Sequence, residues 1–204
     1  MYKDASELMS QCKEQNKRIW QIAVENEMKL TSSSYEDILS RFDDRLEIMF
    51  HSAQKALNAK QATKGGLIDG VAKTQYDYSK KENISGRYIN YVMSLAYSCS
   101  EVNASMGKIC ASPTAGSCGI VPAVLLGLSG AKNISREKTL EGLITASAVG
   151  AIYTKNATVA GADGGCQAEC GVARSMAAAA AAYMMGADDD KCLDAAGFAM
   201  INIM

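Results

Sequence analysis

Apolar residues recur at helical spacing along most of the chain. Nowhere do they alternate at the period of two that a half-buried strand requires. The clearest run is Ile38, Leu39, Phe42, Leu46, Met49, Phe50, Ala53 and Leu57, which fall on one face of a helix. Ser34 stands just ahead of it as an N-cap, with Glu36 and Asp37 near the positive end of the helix dipole. The polar residues 58–64 and then Gly65-Gly66 close that helix. Before it, one long helix is predicted over residues 5–29, with Leu8, Cys12, Ile19, Ala23 and Met28 on a rough stripe. Residues 71–81 read as a short helix. Ser85 reads as the cap of a stronger one carrying Tyr88, Val92, Leu95, Ala96, Cys99 and Val102. Further helices are expected over residues 120–128, where Pro122 is tolerable in the first turn, and over 136–155 behind Ser135. The last two are an Ala-rich stretch over 167–185 and a final helix that starts at residues 188–190. The fold expected is all-α, a single domain over residues 1–204 of about seven helices. The final helix stops on FAMINIM without a cap, which raises the expectation that more protein follows.

Two glycine-rich segments interrupt this pattern, each ahead of a helix. One is GKICASPTAGSCG at residues 107–119 and the other is GADGGC at residues 161–166. A loop of this kind offers free backbone N–H groups at a helix start, where anions bind. Neither is a P-loop, because no Gly-Lys-Ser/Thr follows, and neither is a GxGxxG dinucleotide loop. Tight-turn glycines that let helices pack closely explain the same residues, and both readings stay open.

The chain has 204 residues with 21 basic and 22 acidic, a formal net charge of -1. No basic face marks a nucleic-acid partner. The N-terminus lacks the apolar core of a signal peptide. The most apolar stretch, residues 175–186, is mainly alanine and too short to span a bilayer. A cytoplasmic protein is expected, and in that compartment the seven cysteines are not a disulfide framework. Most serve as small buried hydrophobes. Cys166 differs, because it begins the Ala-rich helix, where the dipole favours a thiolate over a thiol. Cys170 follows one turn later on the same face, with the polar Gln167 and Glu169 between them. Two cysteines at this spacing serve packing or metal ligation, and spacing alone does not choose. His51, the only histidine, lies beside the apolar stripe with no serine–aspartate or cysteine–asparagine arrangement around it, so a triad is excluded.

At these two segments the chain resembles a known family. EVNASMGKICASPTAGSCGIVPAVL (residues 101–125) and AIYTKNATVAGADGGCQAECGVARSMAAAA (residues 151–180) are similar to the two conserved segments of bacterial iron–sulfur L-serine dehydratase α chains. ENEM (residues 25–28) is similar to the family's opening region. The resemblance implies an all-α chain carrying a [4Fe-4S] cluster, one iron of which acts as a Lewis acid while L-serine loses water and then ammonia to give pyruvate. It makes Cys166 a cluster ligand. It places Ser112, Thr114, Gly116 and Asn156 along the substrate and cluster pocket, with Gln167 and Glu169 as the polar pair after the ligand. It assigns no residue here as the base that removes the Cα proton.

The family's other two cluster cysteines lie in a Cys-Asp-Pro segment and beyond it, absent from these 204 residues, so one of three ligands is present. The resemblance also implies a β chain with a Ser-Ser-His-Thr segment that this sequence lacks, and exposed apolar surface on the last helix is expected to favour association with the missing C-terminal α segment or with a second copy. Cys170 and Arg174 stand where the family more often has an aliphatic and a small residue. Thr158 and Ala160 replace two serines. Ile68-Asp69-Gly70-Val71 stands where the family has Gly-Gly-Asp. Two other functions compete with serine dehydration: a related lyase that releases sulfide from L-cysteine, and a truncated, non-catalytic helical module. A pyridoxal-phosphate dehydratase is excluded, because no Ser-x-Lys-x-Arg-Gly-like segment for a Schiff-base lysine exists.

Overall fold

The computed structural model describes residues 2–203, which form nine helices and no strand among the described residues. The all-α expectation holds. The helix number rises above seven chiefly because the first predicted helix is two. Helix α1 spans Ala5–Gln15 and α2 spans Ile19–Thr31. Asn16 adopts a left-handed conformation (φ 51°) and its N–H reaches back to Lys13 and Cys12 carbonyls. A short polar side chain tolerates that conformation and ends the helix. The apolar stripe runs on across the break, which is why periodicity alone joins the two.

Helix α3 spans Tyr35–Asn58, and Ser34 caps it as expected, accepting from the Asp37 N–H. Helices α4 (Val71–Ser79) and α5 (Arg87–Ala104) follow. The cap of α5 is Gly86 (φ 81°), with no side-chain cap bond, so Ser85 does not have the role that its residue type suggests. Helices α6 (Ile120–Lys132), α7 (Arg136–Asn156), α8 (Gly161–Met184) and α9 (Asp189–Ile201) complete the chain. Ser135 and Asp188 cap α7 and α9.

The Ala-rich helix α8 is central and packs against α6, α7 and α9. Its Ala177, Ala179 and Ala180 share a core with Leu46 and Met49 of α3, Val121 and Leu125 of α6, and Leu143 and Val149 of α7. Small residues let the helix axes approach closely, and glycines on the facing helix carry this further. A Cβ on Gly142 would lie 2.9 Å from the Met184 side chain, and one on Gly150 would lie 3.0 Å from Met176 sulfur. Between α5 and α6 the approach is tighter still, since a Cβ on Gly119 would sit 2.5 Å from the Ala96 carbonyl oxygen.

Two polar devices fix the layout. The Glu101 carboxylate on α5 is fully buried and accepts three backbone N–H groups, from Gln61 (2.7 Å), Gly70 (2.9 Å) and Ala72 (3.1 Å). It thereby folds the α3–α4 connection down onto α5. Arg18, at the start of α2, donates to Asp189 at 3.0 Å and to the Ala187 carbonyl at 2.7 Å, and lies over the Tyr183 ring. That joins the start of α2 to the start of α9. No helix among the described residues is long and apolar enough to cross a membrane.

Candidate functional site

The two glycine-rich segments meet. The first leaves α5 through a turn in which the Gly107 N–H donates to the Val102 carbonyl at 2.8 Å. Asn103 ties it back to α5 by donating to the Ala115 carbonyl at 3.2 Å. The Ser112–Pro113 bond within it is cis. The second is not the open loop that its glycines predict. Residues from Gly161 onward already form a helical turn, and the helix is broken at Gly165 (φ 75°, ψ 178°) before it resumes. That backbone conformation is essentially restricted to glycine. Cys166 is therefore the first residue of the resumed helix, and it is exposed.

The contact between the segments is Glu169. The Thr114 hydroxyl donates to its carboxylate, and Ser117 sits 3.2 Å from the same hydroxyl. Two glycines make room for that carboxylate: a Cβ on Gly116 would stand 2.6 Å from its Oε1, and one on Gly161 would stand 2.8 Å from its Oε2. Thr114, Gly116 and Glu169 are thus assembled in one place, and Cys166 stands one helical turn before Glu169. Gly161 belongs to this junction as well. The sequence carried a signal for it only as one glycine among several. Gly116→Ala is expected to leave the melting temperature within about 2 °C, because the obstructing atoms end a flexible side chain that can swing away. The same shift breaks the Thr114–Glu169 bond, and any activity that depends on this junction is expected to fall about tenfold or more. Thermal melts and steady-state kinetics on one preparation check both halves.

The remaining predicted residues are placed elsewhere. Gln167 donates from its amide to the Ile203 carbonyl at 2.7 Å. Asn156 donates to the carbonyls of Lys3 (2.7 Å) and Ile152 (2.8 Å), tying the end of α7 to the chain's first residues. Ser112 is buried, with no partner for its hydroxyl among the described residues, on the wall of a cavity beneath α2, α3 and α7. Asn26 lines the same cavity, and its only signal in the sequence is a polar side chain on the buried face of α2.

The cysteines divide by environment. Cys12, Cys99, Cys118 and Cys192 are buried, and burial pushes their thiols from 9.0 up to about 11, about 12, about 11 and about 11. Unfolded thiols ionise near pH 9 while these stay protonated, so the folded state binds more protons there. Their contribution to stability is complete below pH 9 and is lost as pH rises toward 11. Each thiol gives a slope of at most about 1.4 kcal/mol per pH unit. Melting temperature should therefore fall steeply between pH 9 and 11 and flatten in part in a variant with alanine at Cys99 and Cys192; an unchanged profile in that variant would rule those two thiols out.

Cys166 and Cys170 have their sulfurs 3.5 Å apart. Burial, followed by the neighbouring Cys166, raises the Cys170 thiol above its ordinary value. Among the described residues no three His, Cys, Asp or Glu side chains stand close enough together to hold a metal ion. His51 is exposed on α3. The site can present one accessible cysteine sulfur one helical turn from a fixed carboxylate, at the junction of the two glycine segments.

Comparison with known proteins follows the same segments. A family profile described as "Serine dehydratase alpha chain" matches residues 14–204. The chain is 41% identical over 205 residues to the L-serine dehydratase alpha chain of Peptoniphilus asaccharolyticus, covering all of this chain and 70% of that protein. It is 36% identical to the probable L-serine dehydratase alpha chain of Bacillus subtilis (strain 168), covering all of this chain and 68% of that one. It is 31% identical to L-serine dehydratase 1 of Escherichia coli (strain K12), covering 98% of this chain and 45% of that protein.

Proposed function

Because the chain belongs to the serine dehydratase alpha chain family, we propose that it serves the elimination of water from L-serine, which yields pyruvate and ammonia. The single observation that carries this reading is the junction of Thr114 and Gly116 with Glu169, one turn from the exposed Cys166. The enzyme we propose is an α/β complex working in the cytoplasm with a [4Fe-4S] cluster. The described residues fit one corner of such a cluster and not the whole. Cys166 is accessible at a helix start, and no group of three donors accompanies it. The remaining ligands then come from outside residues 1–204. When bound, the cluster supplies a Lewis-acid iron that makes the serine hydroxyl a better leaving group.

The chain's own residues act around that corner. The packed alanines of α8 hold Cys166 and Glu169 on a rigid element, which fixes their separation. Thr114 pins the Glu169 carboxylate in the space that Gly116 and Gly161 leave free. The carboxylate keeps lone pairs beyond that bond, so it can accept a hydrogen bond from the substrate hydroxyl. Gln167 fastens the start of α8 to the chain just after α9, which holds the cysteine turn in place.

The test is anaerobic reconstitution of the complete complex with iron and sulfide. Iron and sulfide per chain are measured, together with pyruvate from L-serine and from L-cysteine. Iron uptake with serine-dependent pyruvate supports the reading. Iron-loaded complex that makes no pyruvate from serine overturns it, and a strong preference for L-cysteine replaces serine as the substrate.

A further inference from the structure

Among the described residues, Cys166 and Cys170 are the one pair of cysteine sulfurs within hydrogen-bond reach of each other, at 3.5 Å. Cys166 is exposed and Cys170 is half-buried, whereas Cys12, Cys99, Cys118 and Cys192 are buried. A disulfide bond is about 2.0 Å long, so the two sulfurs stand one short movement from bonding. Residues four apart in a regular helix hold their Cβ atoms about 5–6 Å apart, and a disulfide needs about 3.5–4.5 Å. Closing the pair therefore requires the turn 166–170 to tighten. The backbone permits this at one end, because Gly165 (φ 75°) breaks the helix immediately before Cys166. A disulfide closed over such a turn holds it away from helical geometry, and an exposed bond of that kind is readily reduced again.

We propose that Cys166 and Cys170 are a redox modification site, closed to a reversible disulfide by exchange with a small-molecule disulfide. Cys166 reacts first, because its sulfur is the accessible one. Having lost its proton to solvent, it attacks one sulfur of the oxidant; a mixed disulfide forms at Cys166, and one small thiolate leaves and takes up a proton. Cys170 then loses its proton to solvent and attacks the Cys166 sulfur. The bond between the two protein sulfurs forms as the second small thiolate leaves and is protonated. Two protein thiols are thus oxidised, and one small disulfide is reduced to two thiols. The second step is intramolecular, with the attacking sulfur already beside its target, so the mixed disulfide does not accumulate. Cys170 has no part in the single cluster corner described above, and the exchange gives it one of its own. While the bond is closed, Cys166 offers no thiolate to iron. That consequence rests on the dehydratase reading; the disulfide rests on the geometry of the pair.

The test incubates the iron-free chain with mixtures of reduced and oxidised glutathione, alkylates the thiols that remain, and weighs one tryptic peptide. Cleavage after Lys155 and Arg174 releases residues 156–174, which carry Cys166 and Cys170 and no other cysteine. Most of the wild-type peptide is expected with two hydrogens fewer and no added group, and dithiothreitol should return it to two free thiols. In Cys170→Ala, Cys166 should stop at the mixed disulfide with glutathione. In Cys166→Ala, Cys170 should stay free for alkylation. Matching circular dichroism shows that the variants fold alike. Amide exchange over residues 167–170 should accelerate when the wild-type bond closes, because the turn leaves helical geometry. A wild-type peptide that holds two free thiols, or only mixed disulfides, at every glutathione ratio overturns the proposal. Iron separates the two readings. In the iron-loaded complete complex, closure is expected to be at least about tenfold slower than in the iron-free chain, because a ligated sulfur does not exchange. Equal rates keep the disulfide and remove Cys166 from the cluster. Iron-loaded complex that makes pyruvate, from a chain whose peptide never closes, sinks the disulfide and spares the dehydratase.

Discussion

Glu101→Leu should lower the melting temperature by about 10–20 °C. The carboxylate has no exposed surface, and the N–H groups of Gln61, Gly70 and Ala72 all point at it. Leucine fills most of the volume and accepts nothing. Each N–H left without an acceptor costs about 1–3 kcal/mol, and a chain of this size loses about 2–4 °C per kcal/mol. The effect is local in origin. The connection between α3 and α4 has few apolar anchors of its own and is held by this side chain, with the Thr63–Asp69 bonds inside it. Amide exchange at Gln61, Gly70 and Ala72 should accelerate more than exchange in α8. Glu101→Gln should fall between the two, because one amide oxygen still accepts while the amide nitrogen faces a donor. A melting temperature within about 3 °C of wild type for the leucine variant would mean that the connection is held by something else.

Cys166→Ser carries the largest expected effect on chemistry. In the reconstituted complex, iron per chain and serine-dependent pyruvate should both drop at least about 100-fold, since a hydroxyl does not replace a thiolate as an iron ligand. Stability should barely move, because the side chain is exposed and such substitutions stay within about 0.5 kcal/mol. Cys170→Ala is the informative companion. Its sulfur lies 3.5 Å from Cys166, but it stands a turn further into the helix and is partly covered. Loss of iron below about threefold is expected there. Equal losses in both variants would make the pair a two-thiolate donor and would revise the single-corner assignment.

Much of this architecture is readable from residue order, for physical reasons that can be named. The stripe on α3 is visible because a helix buried on one side must repeat its apolar residues every three or four positions. Ser34 is visible as a cap, and residues 135 and 188 as helix starts, because side chains of these types satisfy N–H groups that the helix cannot. The break at Asn16 is hidden because a left-handed residue interrupts the backbone without interrupting the stripe. Ser85 misleads because the neighbouring glycine takes the positive φ that the turn requires, leaving no cap for a serine to make. GADGGC reads as a loop because glycine is permissive, whereas only Gly165 uses that permission. At the site, the resemblance pointed to both glycine segments. That Thr114 and Glu169 touch is a tertiary fact, set by how α6 and α8 pack, and no local pattern encodes it. The cavity is hidden for the same reason: Asn26 and Ser112 come to line one space only after α2, α3 and α7 have closed around it.

The clamp of Arg18 on Asp189 and Ala187 spans 171 positions of chain. During synthesis α2 emerges long before α9 and must wait for it before that clamp can close. Long-range closures of this kind are slow, and until α9 arrives the side of α8 that packs against it stays uncovered. A nascent chain arrested before residue 189 should therefore be captured by holding chaperones, and released once the acidic start of α9 arrives.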